Sequence, residues 1–236
     1  MYHHTSSQHL PNARVVSYHP AVTFDQNQMG SAIGKITEEL PRHEVVAKTA
    51  AYEIRRYAPC VVVETSYTSR RGMMEGDQGG PFMRLAKFIG VMAKPENEAA
   101  EPIAMTAPVL MSRADDGATA ASTTHRNDEP FSPNNVYKMA FFLPASRYTQ
   151  AADAPKPTSP HVKLVDVPAR TVAAVTFSGT MRAPLIAEKE RELREALAKD
   201  GVKTPEGAEA MAAGYNPPWT PSFLKTNEVM LEVLGY

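Results

Sequence analysis

The sequence predicts an α+β fold in which two β-α-β-β units build one mixed sheet, curled or closed, with both helices outside it. Three observations carry this. The chain holds two helical periodicities, at residues 82–92 and 185–200, each preceded by a strand pattern that a proline interrupts. Each helix is followed by an irregular strand and then by a final apolar strand. The halves also correspond in order: Ile54–Thr65 with Leu164–Thr176, Phe82–Met92 with Leu185–Lys199, and Val136–Leu143 with Glu228–Leu234. Residue identity between the halves is slight, so the duplication rests on the order of the patterns.

Residues 1–44 are polar without sustained periodicity and read as a flexible arm, leaving one folded domain at 45–236 with pseudo-repeats at about 45–144 and 161–236. The arm holds His3, His4, His9 and His19, whose spacing matches no closed metal site. Ser31–Leu40 can form one or two helical turns, ended by Pro41. From Val45 the pattern changes. Tyr52–Tyr57 alternates, Pro59 breaks it, and Cys60–Tyr67 resumes as a valine-rich strand. The glycine-rich loop at 69–80 is no phosphate cradle, because Gly80 is followed by Pro81 and not by the Lys and Ser or Thr of a P-loop. Pro81 suits a first helical turn, where a missing N–H costs nothing.

On that first helix, Phe82, Leu85, Ala86, Ile89 and Met92 form a core-facing stripe, and Met83, Arg84, Lys87, Phe88 and Val91 fall on the other side. A solvated face should be polar, and this one mixes two cations with three apolar side chains. Such a surface suits a flat, apolar, dianionic ligand, and a tetrapyrrole with two propionates is the obvious candidate. The plainer reading is ordinary surface scatter, with Lys and Arg stems covering apolar neighbours.

Ile103–Met111 reads as a strand that Pro108 confines to an edge or bulge, Ser112–Pro133 as a long mobile loop, and Val136–Leu143 as a strand stopped by Pro144. After the proline-rich connector at 145–160 come Val162–Val167, Pro168 and Thr171–Ser178. Leu185–Asp200 is the strongest helix, with an apolar stripe, the i,i+4 pairs Glu190–Arg194 and Glu195–Lys199, and Gly201 as its cap. Met211–Tyr215 is short and apolar, Asn216–Pro221 is a rigid turn, and Glu228–Leu234 closes the chain.

Composition narrows function. With 236 residues and 43% hydrophobic content the chain can bury a sizeable core, and a net charge of −1 without a basic block argues against nucleic acid. No apolar run reaches membrane-spanning length. A single cysteine, Cys60, fits a reducing compartment and reads as a small buried hydrophobe. His43, His125 and His161 read as solvated loop residues, and Met73, Met74, Met105 and Met111 as packing groups. No hydrolytic constellation stands out, so no enzyme is expected. The cytoplasm is the expected compartment. A plastid is the alternative, because the first 24 residues contain no acid and several Ser and Thr, although only one Arg.

Five segments in order resemble the SOUL heme-binding proteins, which include the p22-type heme-binding proteins. They are Tyr52–Tyr57, Lys87–Gly90, Met105–Val109, Met139–Pro144, and Gly214–Trp219 followed by Thr226–Val229, and they span about residues 48–235. The resemblance implies a distorted eight-stranded β-barrel of two β-α-β-β repeats flanked by two helices. It also implies reversible, non-covalent binding of heme or another porphyrin in a hydrophobic, weakly ligating groove beside the first helix, where Lys87 matches a basic position. In the SOUL type a histidine inside the Tyr-Glu-x-Arg-x-Tyr motif has been implicated as an axial ligand. Here that position is Arg56, which stays charged and has no lone pair to donate. The expectation is thus a non-enzymatic tetrapyrrole carrier, buffer or sensor using Met83, Arg84, Lys87, Phe88 and Val91. Its rivals are a small-molecule effector-binding or interaction domain and, third, an enzyme acting on tetrapyrroles.

Overall fold

The structure, a computed structural model, describes residues 35–69, 73, 79–91, 94–114 and 136–236. The readings made for residues 1–34, for most of the glycine-rich loop, for Met74, for Met92 and for residues 115–135, His125 included, lie outside these. Among the described residues nine strands form one sheet. They are β1 (His43–Lys48), β2 (Glu53–Tyr57), β3 (Cys60–Thr68), β4 (Val109–Arg113), β5 (Val136–Phe142), β6 (Lys163–Val167), β7 (Arg170–Phe177), β8 (Met211–Gly214) and β9 (Asn227–Glu232). Their order across the sheet is β1-β2-β7-β9-β8-β4-β5-β3-β6. The helices α1 (Gly79–Ile89) and α2 (Ala183–Lys199) pack against it. The α+β class and the repeat are as expected.

The strand directions are not. Every neighbouring pair of strands is antiparallel, where a mixed sheet was expected. The reason is an inserted strand in each repeat. The crossover β3-α1-β4 joins strands that run the same way, but β5 inserts between them, and β9 does the same between β7 and β8. Each inserted strand turns one parallel contact into two antiparallel ones.

The ninth strand is β1, which begins at His43, inside the expected arm. Glu39 reaches the domain too. It bridges to Thr106, and its carboxylate accepts from the Ser146 hydroxyl at 2.8 Å and the Ser146 N–H at 3.1 Å. No helical turn forms over Lys35–Leu40. The strand expected from Ile103 starts only at Val109, because Pro108 has no N–H for the ladder.

The sheet curls because its two ends are tied by short covalent links. β2 lies second from one end of the order and β3 second from the other, yet only Ala58 and Pro59 separate them. Pro168 and Ala169 link β6 to β7 in the same way. The pairs Tyr57↔Arg170 and Cys60↔Val167 share one register, so Pro59 falls opposite Pro168. Neither proline can donate to the ladder, pairing stops on both strands at one level, and the ribbon bends there.

Strand alternation then sorts the core into three clusters. Val61 and Val63 of β3 face α1, where they meet Leu85, Phe88 and Ile89. Ala173 of β7 and Val229 and Leu231 of β9 meet Ile186, Leu193 and Leu197 of α2. On the opposite face of the curl, Tyr57, Val62, Leu110, Phe142, Val172 and Met230 pack together around the small residues Ala140, Ala174 and Ala213. Both helices end in a Schellman turn. Val91 N–H donates to Ala86 C=O and Gly90 N–H to Lys87 C=O, with Gly90 at φ 82°. Val202 and Gly201, the latter at φ 69°, repeat the arrangement on Leu197 and Ala198, as the Gly201 cap predicts. A Cβ on Gly90 would lie 2.5 Å from Pro95 Cγ, so this turn takes glycine.

Candidate functional site

The outward face of α1 is smaller than its periodicity implies. Leu85, Ala86 and Ile89 are core, as expected. Phe88 is core too, at 1% exposure, and this corrects its placement on the outer face. Periodicity assumes one packing partner, and α1 has two. The sheet covers one flank, and the chain beyond the helix covers the other. Asn97 Nδ2 donates to Phe88 C=O at 3.0 Å and to Glu101 C=O at 2.8 Å, Ile103 N–H donates to Ile89 C=O at 2.9 Å, and Tyr148, Ala154 and Val162 join the same cluster. A helix covered on two flanks needs a wide apolar belt, and this accounts for the odd composition. Val91 also packs against that cluster, half-buried.

Met83, Arg84 and Lys87 remain on the accessible side. Arg84 is held against the sheet: its Nε donates to Thr65 Oγ1 at 2.9 Å and its Nη2 to Ser66 C=O at 3.0 Å. Thr65 Oγ1 in turn donates to His161 C=O at 2.8 Å, which fixes the acceptor. One turn on, Lys87 Nζ lies 3.5 Å from Glu96 Oε1, with both side chains 44% exposed. A pair so open to water is readily exchanged for another partner.

Arg84 forms part of a cleft of about 430 Å³ whose other walls include Tyr67, Thr68, Gly80, Pro81 and Val136. Tyr67 donates its hydroxyl to Met73 C=O at 2.8 Å, and its ring lies 5.8 Å from that of Tyr137. Burial pushes the Tyr67 phenol well above its ordinary pKa, so it stays a neutral donor. Among the described residues, the cleft offers an apolar-aromatic wall, a fixed guanidinium and neither a histidine nor a cysteine. That donor set fits a carboxylate-bearing ligand held by contact and charge.

A second polar constellation escapes a reading of the sequence alone. Arg55 and Glu228, both buried, pair through two bonds, Nη1 to Oε2 at 3.0 Å and Nη2 to Oε1 at 2.9 Å. Tyr215 donates to Glu228 Oε2 at 2.6 Å and Thr176 to Oε1 at 3.0 Å, while Glu53 accepts from Arg55 Nε at 3.0 Å. These bonds tie β2, β7 and β9 together. Their signal lies in two of the family-like segments, Tyr52–Tyr57 and Thr226–Val229, whose opposite charges are far apart in the chain.

The remaining candidates fall into place individually. Arg56 is exposed and pairs with Glu44 at 3.3 Å. His43 opens β1 and is not in a loop; its Nδ1 lies 3.1 Å from Pro41 C=O and its ring 4.8 Å from that of Tyr57. His161 is exposed just before β6. Cys60 is half-buried against the third cluster, and burial raises its thiol pKa, which suits an inert packing group. Met111 is core, and Met73 and Met105 pack against the same cluster partly buried. Among the described residues no group of three or more His, Cys, Asp or Glu side chains could hold a metal ion, and no helix is long and apolar enough to cross a membrane.

The family model of the SOUL heme-binding protein matches residues 38–232. No curated protein matches the sequence significantly. Among solved structures, an uncharacterized conserved protein from Listeria innocua is 12% identical with a TM-score of 0.53, over 79% of this chain and 94% of its own. A hydrolase from Listeria innocua is 12% identical with a TM-score of 0.50, over 80% and 94%. The EcmrR C-terminal domain is 11% identical with a TM-score of 0.49, over 84% and 100%. At such identities the first two likenesses speak for the fold alone.

Proposed function

The chain belongs to the SOUL heme-binding protein family, and from that premise we propose that it is a non-enzymatic carrier or buffer of heme or a related tetrapyrrole, bound reversibly and without a covalent link. One observation carries the site. Arg84 is pinned by Thr65 and Ser66 at the wall of an open cleft, and those two bonds use two of its five N–H donors. A side chain already held in place gives up less freedom when its remaining donors bind a ligand. A propionate takes them, Lys87 exchanges Glu96 for the second propionate, and Met83 with the Tyr67–Val136 wall contacts the macrocycle. Val91 and Phe88 support the helix from the core cluster. When bound, the tetrapyrrole supplies whatever iron chemistry occurs; the chain's own residues hold its carboxylates and cover one face.

Titration with hemin and with metal-free protoporphyrin, followed by visible absorption, tests this. Saturable binding of both within about tenfold of each other, or about 1.4 kcal/mol, supports binding by contact and charge. Failure of both to bind rejects the reading. So does a sharp six-coordinate low-spin spectrum that vanishes when one histidine is replaced.

A further inference from the structure

Among the described residues, the two most exposed large apolar side chains lie on the loop between β8 and β9. Trp219 is 61% exposed and Phe223 is 74% exposed, with the exposed Leu224 beside Phe223. Large apolar groups clustered in the open mark a surface that something else covers.

The loop holds them rigidly. Tyr215 N–H donates to Thr226 C=O, Thr226 N–H to Asn216 Oδ1, Thr220 N–H to Pro217 C=O, and Leu224 N–H to Pro221 C=O. A second segment braces it from outside: Gly179 N–H donates to Ser222 C=O at 2.9 Å, and Asn227 Nδ2 donates to Gly179 C=O at 2.8 Å. Three prolines between Pro217 and Pro221 stiffen what remains. The aromatics are therefore presented at little entropic cost.

Charge identifies the partner. Neither the stretch 211–227 nor the bracing segment at 177–187 contains an Asp or Glu. Each contributes a cation: Lys225, whose Nζ donates to Pro218 C=O at 3.1 Å, and the exposed Arg182. A groove of about 570 Å³ lies alongside, walled by Phe177, Phe223, Leu224 and Lys225. Exposed aromatic rings and cations on segments that carry no acid suit a bilayer interface, where rings sit at headgroup depth and cations meet lipid phosphates.

We propose that the β8–β9 loop docks this protein on an anionic lipid surface, with Trp219 and Phe223 entering the interface and Lys225 and Arg182 supplying the attraction. This stands independently of the tetrapyrrole reading and uses none of its residues.

The chain's single tryptophan makes the test direct. The full chain is mixed with phosphatidylcholine vesicles, with and without phosphatidylglycerol, and scored by flotation and by Trp219 emission. Co-flotation with the anionic vesicles, a blue shift, and quenching by brominated lipid are expected. Lys225→Glu should weaken binding by at least about fivefold, the worth of one interfacial charge. Phe223→Ser should do the same while circular dichroism shows an intact fold. No co-flotation, or variants that float like wild type, would overturn the proposal. So would concentration-dependent dimerisation that Phe223→Ser abolishes, since a second copy would then own the surface.

Discussion

Arg55 and Glu228 stand 173 residues apart and meet as a buried, two-pronged ion pair that joins β2 of one repeat to the last strand of the other. Both charges are buried, and Arg55 is held in addition by the partly exposed Glu53, 2.8 Å from its Nη2.

Removing one partner should therefore be costly. Glu228→Ala leaves the buried guanidinium with Glu53 as its remaining carboxylate and frees the hydroxyls of Tyr215 and Thr176, and should destabilise the protein by about 3 kcal/mol. Replacing both by well-packed apolar residues should cost less than the sum of the single changes. Urea denaturation of the two single variants and the double variant closes the cycle. Additive losses would mean the two side chains act separately.

Proton linkage should narrow the stable range from both ends. Hydrogen bonds from Lys48 and then Arg55 hold the Glu53 carboxyl below its ordinary pKa. Its contribution is therefore present above the unfolded carboxylate range and lost as pH falls through the lower folded value. At the other end, burial and then the bond to Asp200 push Tyr52 up to about 12. That contribution is complete below the unfolded tyrosine value and disappears as pH rises towards 12. Melting temperature against pH should show Glu53→Gln flattening the acid limb and Tyr52→Phe flattening the alkaline one. Unchanged limbs would contradict these assignments.

The buried and the accessible sides of α1 should respond differently to truncation. Leu85→Ala should cost about 2–5 kcal/mol and Phe88→Ala about 3–5 kcal/mol, because both leave cavities in a packed cluster. Lys87→Ala should leave the melting temperature nearly unchanged. A Phe88→Ala variant as stable as wild type would restore that ring to the surface, where its periodicity places it.

The fold was legible wherever local pattern decides it. The two prolines, the repeated strand-helix order and the Gly201 cap lie in short stretches of chain, and each reappears in the structure. What was not legible depended on distant contacts. The inserted strands β5 and β9 reverse the pairing of the sheet, and nothing local announces which strand will sit between two others. Phe88 reads as outward until the chain from Asn97 to Val162 closes over it. Nothing local pairs Arg55 with Glu228; they meet only because β2 and β9 flank the same strand, β7. For the site, residue types were readable but their commitments were not: Arg84 already serves Thr65 and Ser66, and Lys87 already faces Glu96.

The central claim is that a tetrapyrrole lies against Arg84 and Lys87. The most direct measurement is hemin affinity and melting temperature, taken together, for Arg84→Ala/Lys87→Ala beside wild type. Loss of two partly exposed carboxylate partners, at roughly 0.2–1 kcal/mol each and more when the ligand excludes water, should weaken hemin binding about twofold to thirtyfold. The melting temperature should fall only slightly, since Thr65 keeps its bond to His161 and Ser66 is open to water. Hemin binding that survives the double change intact would contradict the claim and move the ligand off this face.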